Sequence, residues 1–135
     1  MKRVLEAMLT RVTVAHSLPG RVRVRVPAIA HVPESAPVDV YTTAIIAAIR
    51  GVRAVRLSRE TATLLIEYEA SVSESQIVKL VQSVTELLVA NAERFVSLDP
   101  DAQKRLGERV QRFLADSELD PASEVVLPDE IWHET

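Results

Sequence analysis

Two groups of side chains in the sequence could take part in chemistry. Arginine recurs at alternate positions of the stretch RVRVRV, at Arg21, Arg23 and Arg25. A row of guanidinium groups can bind anions or pair with carboxylates. Imidazole can act as a general base or a metal ligand, and histidine occurs at His16, His31 and His133. Cysteine is absent, which excludes disulfides, thiolate metal sites and cysteine nucleophiles.

Catalysis finds little support in these residues. No Ser/His/Asp or paired-carboxylate spacing stands out, and the three glycines form no phosphate-binding loop. The arginine stretch also lacks the interleaved aromatic side chains on which nucleic-acid bases stack, and the formal net charge of the chain is -3. We therefore predict a protein that is not an enzyme and does not bind nucleic acid.

The composition is that of an ordinary globular protein. The chain has 135 residues, of which 47% are hydrophobic and 26% charged, and a chain of this length can bury roughly two thirds of its unfolded surface. The first ten residues hold no apolar run long enough for a signal peptide, and no stretch approaches the length of a membrane span. We predict a cytoplasmic protein that does not span a membrane.

The elements that position the arginines follow from periodicity. Residues 22–26 alternate strictly, which predicts a half-buried strand with valines inward and arginines outward. Two β-rich runs at 52–58 and 62–69 flank a polar turn and predict a hairpin. Helices are predicted from Asp39 to Gly51 and after the capping box Ser73-x-x-Gln76, while residues 28–37 are predicted to be a loop.

The order strand, helix, hairpin, helix is the β-α-β-β-α order of a ferredoxin-like sandwich, an α+β fold with helices on one face of an antiparallel sheet. Residues 10–16 or residues 94–98 could supply the fourth strand, and we favour the first because it would pair across a Leu-Pro-Gly-Arg turn. That turn could need extra loop residues, since its twist suits a two-residue hairpin poorly. The first and third strands are neighbours in this fold, so the arginines should face Glu67 and Glu69. Such cross-strand ion pairs explain the arginines without a ligand, and contact with a protein partner through the same face is the alternative.

The last third of the chain has a different character. Asp99-Pro100 should open an amphipathic helix, and from Asp116 onward there are seven acidic residues and no Lys or Arg. This tail also holds the apolar pair Ile131–Trp132, which could pack on its own domain or anchor the chain to a partner. We predict a domain over residues 1–98 and a helical extension with an acidic tail over residues 99–135.

Residues 51–81, GVRAVRLSRETATLLIEYEASVSESQIVKLV, resemble the second half of the heavy-metal-associated (HMA) domain. In that family a Gly-Val pair opens the second strand and a Tyr-acid pair closes the third. The first half is similar to a divergent branch of the family in its Leu-Pro-Gly-Arg turn, here residues 18–21, and in its basic alternating strand. The resemblance covers about residues 11–90, and it implies the ferredoxin-like fold and a role in metal handling.

The resemblance also implies where a metal should bind. The family's site is a Cys-x-x-Cys pair between the first strand and the first helix, and the corresponding segment here, residues 28–37, has no cysteine. Copper(I) handling by that route is chemically excluded. The loop offers His31 and Glu34, which together with His16 would suit a divalent metal ion such as iron(II), manganese or zinc. A solvated loop histidine is the alternative interpretation.

These observations together predict a function. We expect a non-enzymatic accessory module in the homeostasis or transport of a non-thiophilic metal ion such as iron, acting mainly through protein-protein binding. A metal-transporting ATPase or an assembly or shell protein is the expected partner, and homo-oligomers are compatible with the fold. The expected partner-binding residues are Arg21, Arg23, Arg25, Ile131 and Trp132. The alternative is a structural adaptor without metal, anchored to a larger assembly by its C-terminal tail.

Overall fold

A computed structural model describes residues 11–31, 38–91, 93–94, 97–116 and 128–133. The strands are β1 (Thr13–Leu18), β2 (Arg21–Arg25), β3 (Val52–Ser58) and β4 (Thr63–Tyr68). The helices are α1 (Ala28–His31), α2 (Val38–Ala47), α3 (Glu74–Ala90) and α4 (Pro100–Asp116), followed by a 3-10 turn η1 (Asp129–Trp132). The fold class is the predicted α+β sandwich with a C-terminal helix.

The four strands form one antiparallel sheet in the order β1-β2-β4-β3. The first and third strands of the ferredoxin-like order, here β2 and β4, are paired directly, as predicted. The fourth strand is the N-terminal one, because β1 pairs with β2 across a local turn that costs little loop-closure entropy. The competing segment is not extended in its described part, where Arg94 is helical and Ser97 and Leu98 lie in a turn and a bend.

The turn between β1 and β2 is as short as a hairpin allows. Leu18 pairs directly with Arg21, so only Pro19 and Gly20 form the loop. Gly20 has a φ of 75°, which is the left-handed conformation required at the third position of a type II turn. No extra loop residue is present; instead the register of β1 shifts between Val14 and His16, as in a β-bulge, which adds local twist.

The core lies between the sheet and the helices. Val22 and Val24 are fully buried, whereas the three arginines that alternate with them are exposed. This pattern confirms the predicted orientation of the strand. Its buried partners come from β4, α2, α3 and α4, and the fully buried ones among them are Ile45, Ile46, Leu64, Ile66, Ile77, Val81, Val84 and Leu106. Because α4 contributes Leu106, Val110 and Leu114 to this cluster, the helical extension packs on the same core as the sheet.

The predicted loop at 28–37 is wrong in its first part. Residues Ala28–His31 form a helical turn in which Ile29 N donates to Val26 O at 3.0 Å and Ala30 N donates to Pro27 O at 3.1 Å. Pro27 suits the start of a helix because it has no N–H to satisfy, and the turn buries Ala28 and Ile29. Residues 32–37, including Glu34, lie outside the described residues.

Candidate functional site: a cationic sheet face

Among the described residues, the helices pack on one side of the sheet only, and strand register shows which residues share the other side. Residues directly opposite each other in an antiparallel pair lie on the same face. Starting from the arginines of β2, the register gives three rows across the sheet, which we call the arginine face. The rows are Leu18, Arg21, Glu67 and Ala54; then His16, Arg23, Leu65 and Arg56; then Thr13, Arg25, Thr63 and Ser58.

Charge on the arginine face is strongly unbalanced. Its one acidic residue, Glu67, lies opposite Arg21, and the two side chains form an ion pair of 3.9 Å between Arg21 Nε and Glu67 Oε1. Both side chains are about half exposed, at 50% and 48%, so this pair contributes at most about 1 kcal/mol to stability. The expected pairing with Glu69 is wrong, because Glu69 lies beyond the end of β4, level with the turn before Arg21.

The other arginines of this face have no such partner. Arg23 faces Leu65 and Arg25 faces Thr63 across the β2–β4 pair, and Arg56 faces Leu65 from the other side. None of the three forms an ion pair or a side-chain hydrogen bond with the described residues. Three guanidinium groups on a single sheet face are therefore left without a partner by the described part of the chain.

Sequence analysis missed two members of this face, Arg56 and Leu65. Arg56 follows a register shift between Val52 and Ala54, so alternation counted from the start of β3 assigns it to the wrong side. Leu65 stands in the continuous apolar run LLI, where period-two alternation gives no contrast. Its two neighbours in the strand, Leu64 and Ile66, are both fully buried, so Leu65 points to the opposite face of the sheet.

The candidate metal ligands are not brought together among the described residues. His16 is exposed on the arginine face and His31 is exposed at the end of α1, whereas Glu34 lies outside the described part. Within that part, no group of three or more His, Cys, Asp or Glu side chains could hold a metal ion. The chain also lacks the thiolates of the familial site, so the residues present do not fit a thiolate-bound ion. A divalent site at His31, Glu34 and His16 stays a prediction.

The C-terminal apolar pair lies on its own chain. Ile131 is 6% exposed, and its carbonyl oxygen accepts a hydrogen bond of 2.8 Å from Arg109 Nε of α4. Arg94 lies over the Trp132 ring, 5.2 Å from its centroid, and contacts Asp129 with 3.6 Å between Nη1 and Oδ1. Of the two alternatives for the tail, its described residues thus adopt the packed one, against α4. Partner binding by Ile131 would require this segment to separate from α4.

The comparison with protein families identifies the chain. A family model described as "Heavy metal associated domain 2" matches residues 5–113. The chain belongs to this family. The match extends past the segment 11–90 on which the resemblance rested and takes in most of α4. Neither the curated proteins nor the solved structures give a match.

Family membership clarifies the chemistry of the chain. Because it has no cysteine, it represents a divergent branch of the heavy-metal-associated domains that lacks the Cys-x-x-Cys site. None of the helices in the described ranges is both long and apolar enough to cross a bilayer. In the described part of this HMA domain, the arginine face is the candidate binding surface.

Proposed function

We propose that this HMA domain is a non-enzymatic, cytoplasmic accessory module in metal-ion homeostasis or transport, and that it acts by binding a protein partner through the arginine face. The connection with metals rests on family membership. The mode of action rests on one observation, the three guanidinium groups of Arg23, Arg25 and Arg56 that no described residue pairs with. Interfaces favour arginine because it combines charge, planarity and apolar contact.

The metal that this module serves is proposed to be non-thiophilic, with iron(II) as the first choice. The reason is the absence of thiolates, since histidine and carboxylate ligands suit harder divalent ions. A metal-transporting ATPase or an assembly or shell protein is the proposed class of partner. The adaptor alternative, in which the tail is the anchor, is less well supported because Ile131 is buried against α4.

The proposal is tested in cells of the source organism. Deleting the gene should change the cellular content of one divalent metal, measured by mass spectrometry, and the wild-type chain should restore it. R23E/R25E should fail to restore it because the face loses its positive charge. The matched control K79E/K104E changes two exposed lysines on α3 and α4 and should restore it fully. An unchanged metal content after deletion, in both metal-replete and metal-depleted media, would contradict the metal role.

The proposed ligands are tested separately with purified protein. Calorimetric titration with iron(II), manganese(II) and zinc(II) should show binding of one ion that H16A/H31A removes. Equal binding by the wild type and H16A/H31A would show that the ligands are other residues, whereas the partner-binding part of the proposal would be unaffected.

A further inference from the structure

The arginine face combines charge with an apolar centre. In the middle row Arg23 and Arg56 stand on either side of Leu65, which is partly buried. Leu18 adds a second apolar side chain at the edge of the same face and is 49% exposed. The face therefore carries two separate apolar side chains among its guanidinium groups, and a polyanion without apolar groups would leave Leu65 uncovered.

The spacing of the guanidinium groups limits what can bind them. Arg23 and Arg25 are two residues apart on one strand, which places their Cβ atoms about 7 Å apart. Arg23 and Arg56 are separated by one intervening strand, which corresponds to about 10 Å. Carboxylates two or four residues apart in an extended chain project from the same side, about 7 or about 13 Å apart, which the long arginine side chains can reach. A single short protein segment could pair with these arginines at the same time.

We propose that the arginine face binds an acidic protein segment that carries an apolar side chain between its carboxylates. The carboxylates pair with Arg23, Arg25 and Arg56, and the apolar side chain covers Leu65. Charge complementarity and the central leucine identify this occupant. The inference rests on the proposed function and specifies the chemistry of its partner.

Nucleic acid matches this face less well. Base recognition on an open sheet uses aromatic side chains for stacking, and Tyr68, the one tyrosine of the four strands, lies on the opposite, buried face at 7% exposure.

The acidic tail of the same molecule is not the proposed occupant. Its described residues, 128–133, are held on α4 by the buried Ile131 and by the bond from Arg109. The helices, α4 among them, cover the side of the sheet that carries Val22 and Val24, whereas the arginines point away from that core. The described end of the tail, residues 128–133, therefore does not supply the carboxylates, and the proposed occupant is a segment of another protein.

The test uses the full chain and fluorescence anisotropy with four labelled probes of equal length. The first is a peptide of four Asp-Leu-Glu repeats, and the second replaces its acids with Asn and Gln. The third is polyglutamate, and the fourth is single-stranded oligo(dT). We expect the Asp-Leu-Glu peptide to bind most tightly and the neutral peptide not to bind. Raising the salt concentration from about 50 to about 300 mM should weaken binding because exposed charge pairs are screened.

Two variants assign the binding to the face. R23Q/R25Q/R56Q removes the three guanidinium groups that no described residue pairs with and should weaken binding of the Asp-Leu-Glu peptide about tenfold or more, as three exposed charge pairs would. The matched control K79Q/K104Q/R112Q removes three exposed cations from α3 and α4 and should change it less than about twofold. Circular dichroism checks that both variants keep the fold.

Several results would overturn the inference. Two of them concern the peptide: no binding to the wild type, or an equal loss of peptide affinity in both variants. The other two concern the remaining probes: oligo(dT) binding more tightly through the same arginines, or polyglutamate binding as tightly as the Asp-Leu-Glu peptide. These outcomes are distinguishable from failure of the proposed function. A chain that binds the peptide but leaves cellular metal content unchanged on deletion would refute the metal role alone, and the reverse result would refute the acidic-segment inference alone.

Discussion

Among single residues, Gly51 shows most directly how the fold constrains the sequence. It stands between α2 and β3 with a φ of 93°, a conformation that side-chain-bearing residues rarely adopt. A Cβ atom at this position would overlap Val72 Cγ2. The carbonyl oxygen of Gly51 also accepts a hydrogen bond of 2.8 Å from Glu69 N, so the backbone cannot rotate away without losing that bond.

We therefore expect G51A to lower the free energy of unfolding by about 2 kcal/mol or more, from the left-handed backbone and the steric overlap together. Urea denaturation monitored by circular dichroism measures the change. G20A is the matched control, because Gly20 also has a positive φ but the nearest atom to its added Cβ, Tyr68 O, would be 3.3 Å away. Equal losses in the two variants would show that contact with Val72 contributes nothing.

Tyr41 is a second residue whose environment has a measurable consequence. It is buried between α2 and α4, and its hydroxyl donates to Gln103 O at 2.8 Å. Desolvation by burial raises the pKa of Tyr41 above its ordinary value of 10.0, against an opposing effect of the Arg109 charge. The folded state thus holds this proton more tightly than the unfolded chain. The stability that this pKa difference contributes is fully present below pH 10, and it is lost as the pH rises from 10 through the raised pKa of Tyr41.

Y41F should therefore have two effects. At neutral pH it should lose about 1 kcal/mol of unfolding free energy with the hydrogen bond to Gln103. Above pH 10 its stability should decline less steeply than that of the wild type, because the phenol that must ionise is gone. Parallel stability curves for the two proteins between about pH 9 and 11 would contradict the assignment to Tyr41.

At the scale of elements, the sequence predicts most of the architecture and less of the site. Strict alternation predicts β2 and its orientation, and the turn after Leu18 predicts the edge strand, because both signals are local. The membership of Arg56 in the arginine face depends on cross-strand register, and the irregular pairing between Val52 and Ala54 changes that register. Local patterns do not determine such a shift. The turn Ala28–His31 was missed because two buried apolar residues stabilise it against proline-rich surroundings.

The start of α3 provides the prediction at this scale. Ser73 Oγ accepts from Gln76 N at 3.1 Å while Gln76 Oε1 accepts from Ser73 N at 2.9 Å, a reciprocal capping box as the sequence predicted. S73A should cost about 1 kcal/mol of unfolding free energy. The control S71A changes an exposed serine of the preceding turn and should cost less than about 0.5 kcal/mol. Both are measured by urea denaturation, and indistinguishable midpoints would show that the box does not stabilise the helix.

For the whole molecule, the main question is whether the C-terminal segment belongs to the folded unit. Sequence alone left this open, since an apolar pair in an acidic tail suits self-packing and partner binding equally well. The structure places Ile131 in the same core cluster as Leu106 and Val110 and connects it to Arg109. Partner-bound and self-packed forms would then compete for the same side chain.

We expect I131A to lower the free energy of unfolding by about 2 to 4 kcal/mol, as for other large-to-small changes in a core. E130A, an exposed neighbour in the same turn, should change it by less than about 0.5 kcal/mol. Removing residues 117–135 should lower the melting temperature as well. If I131A matched E130A in urea denaturation and the truncated chain melted with the full-length one, the segment would not be part of the cooperative fold.

The uneven placement of charge on this molecule has a consequence for how it meets other molecules. One side of the sheet is cationic while the chain as a whole is negative, so the protein is an electric dipole. In the electric field of an acidic partner, such a dipole rotates before contact so that its cationic side faces the partner. A larger share of its encounters then leads to binding than for a molecule that approaches in random orientations.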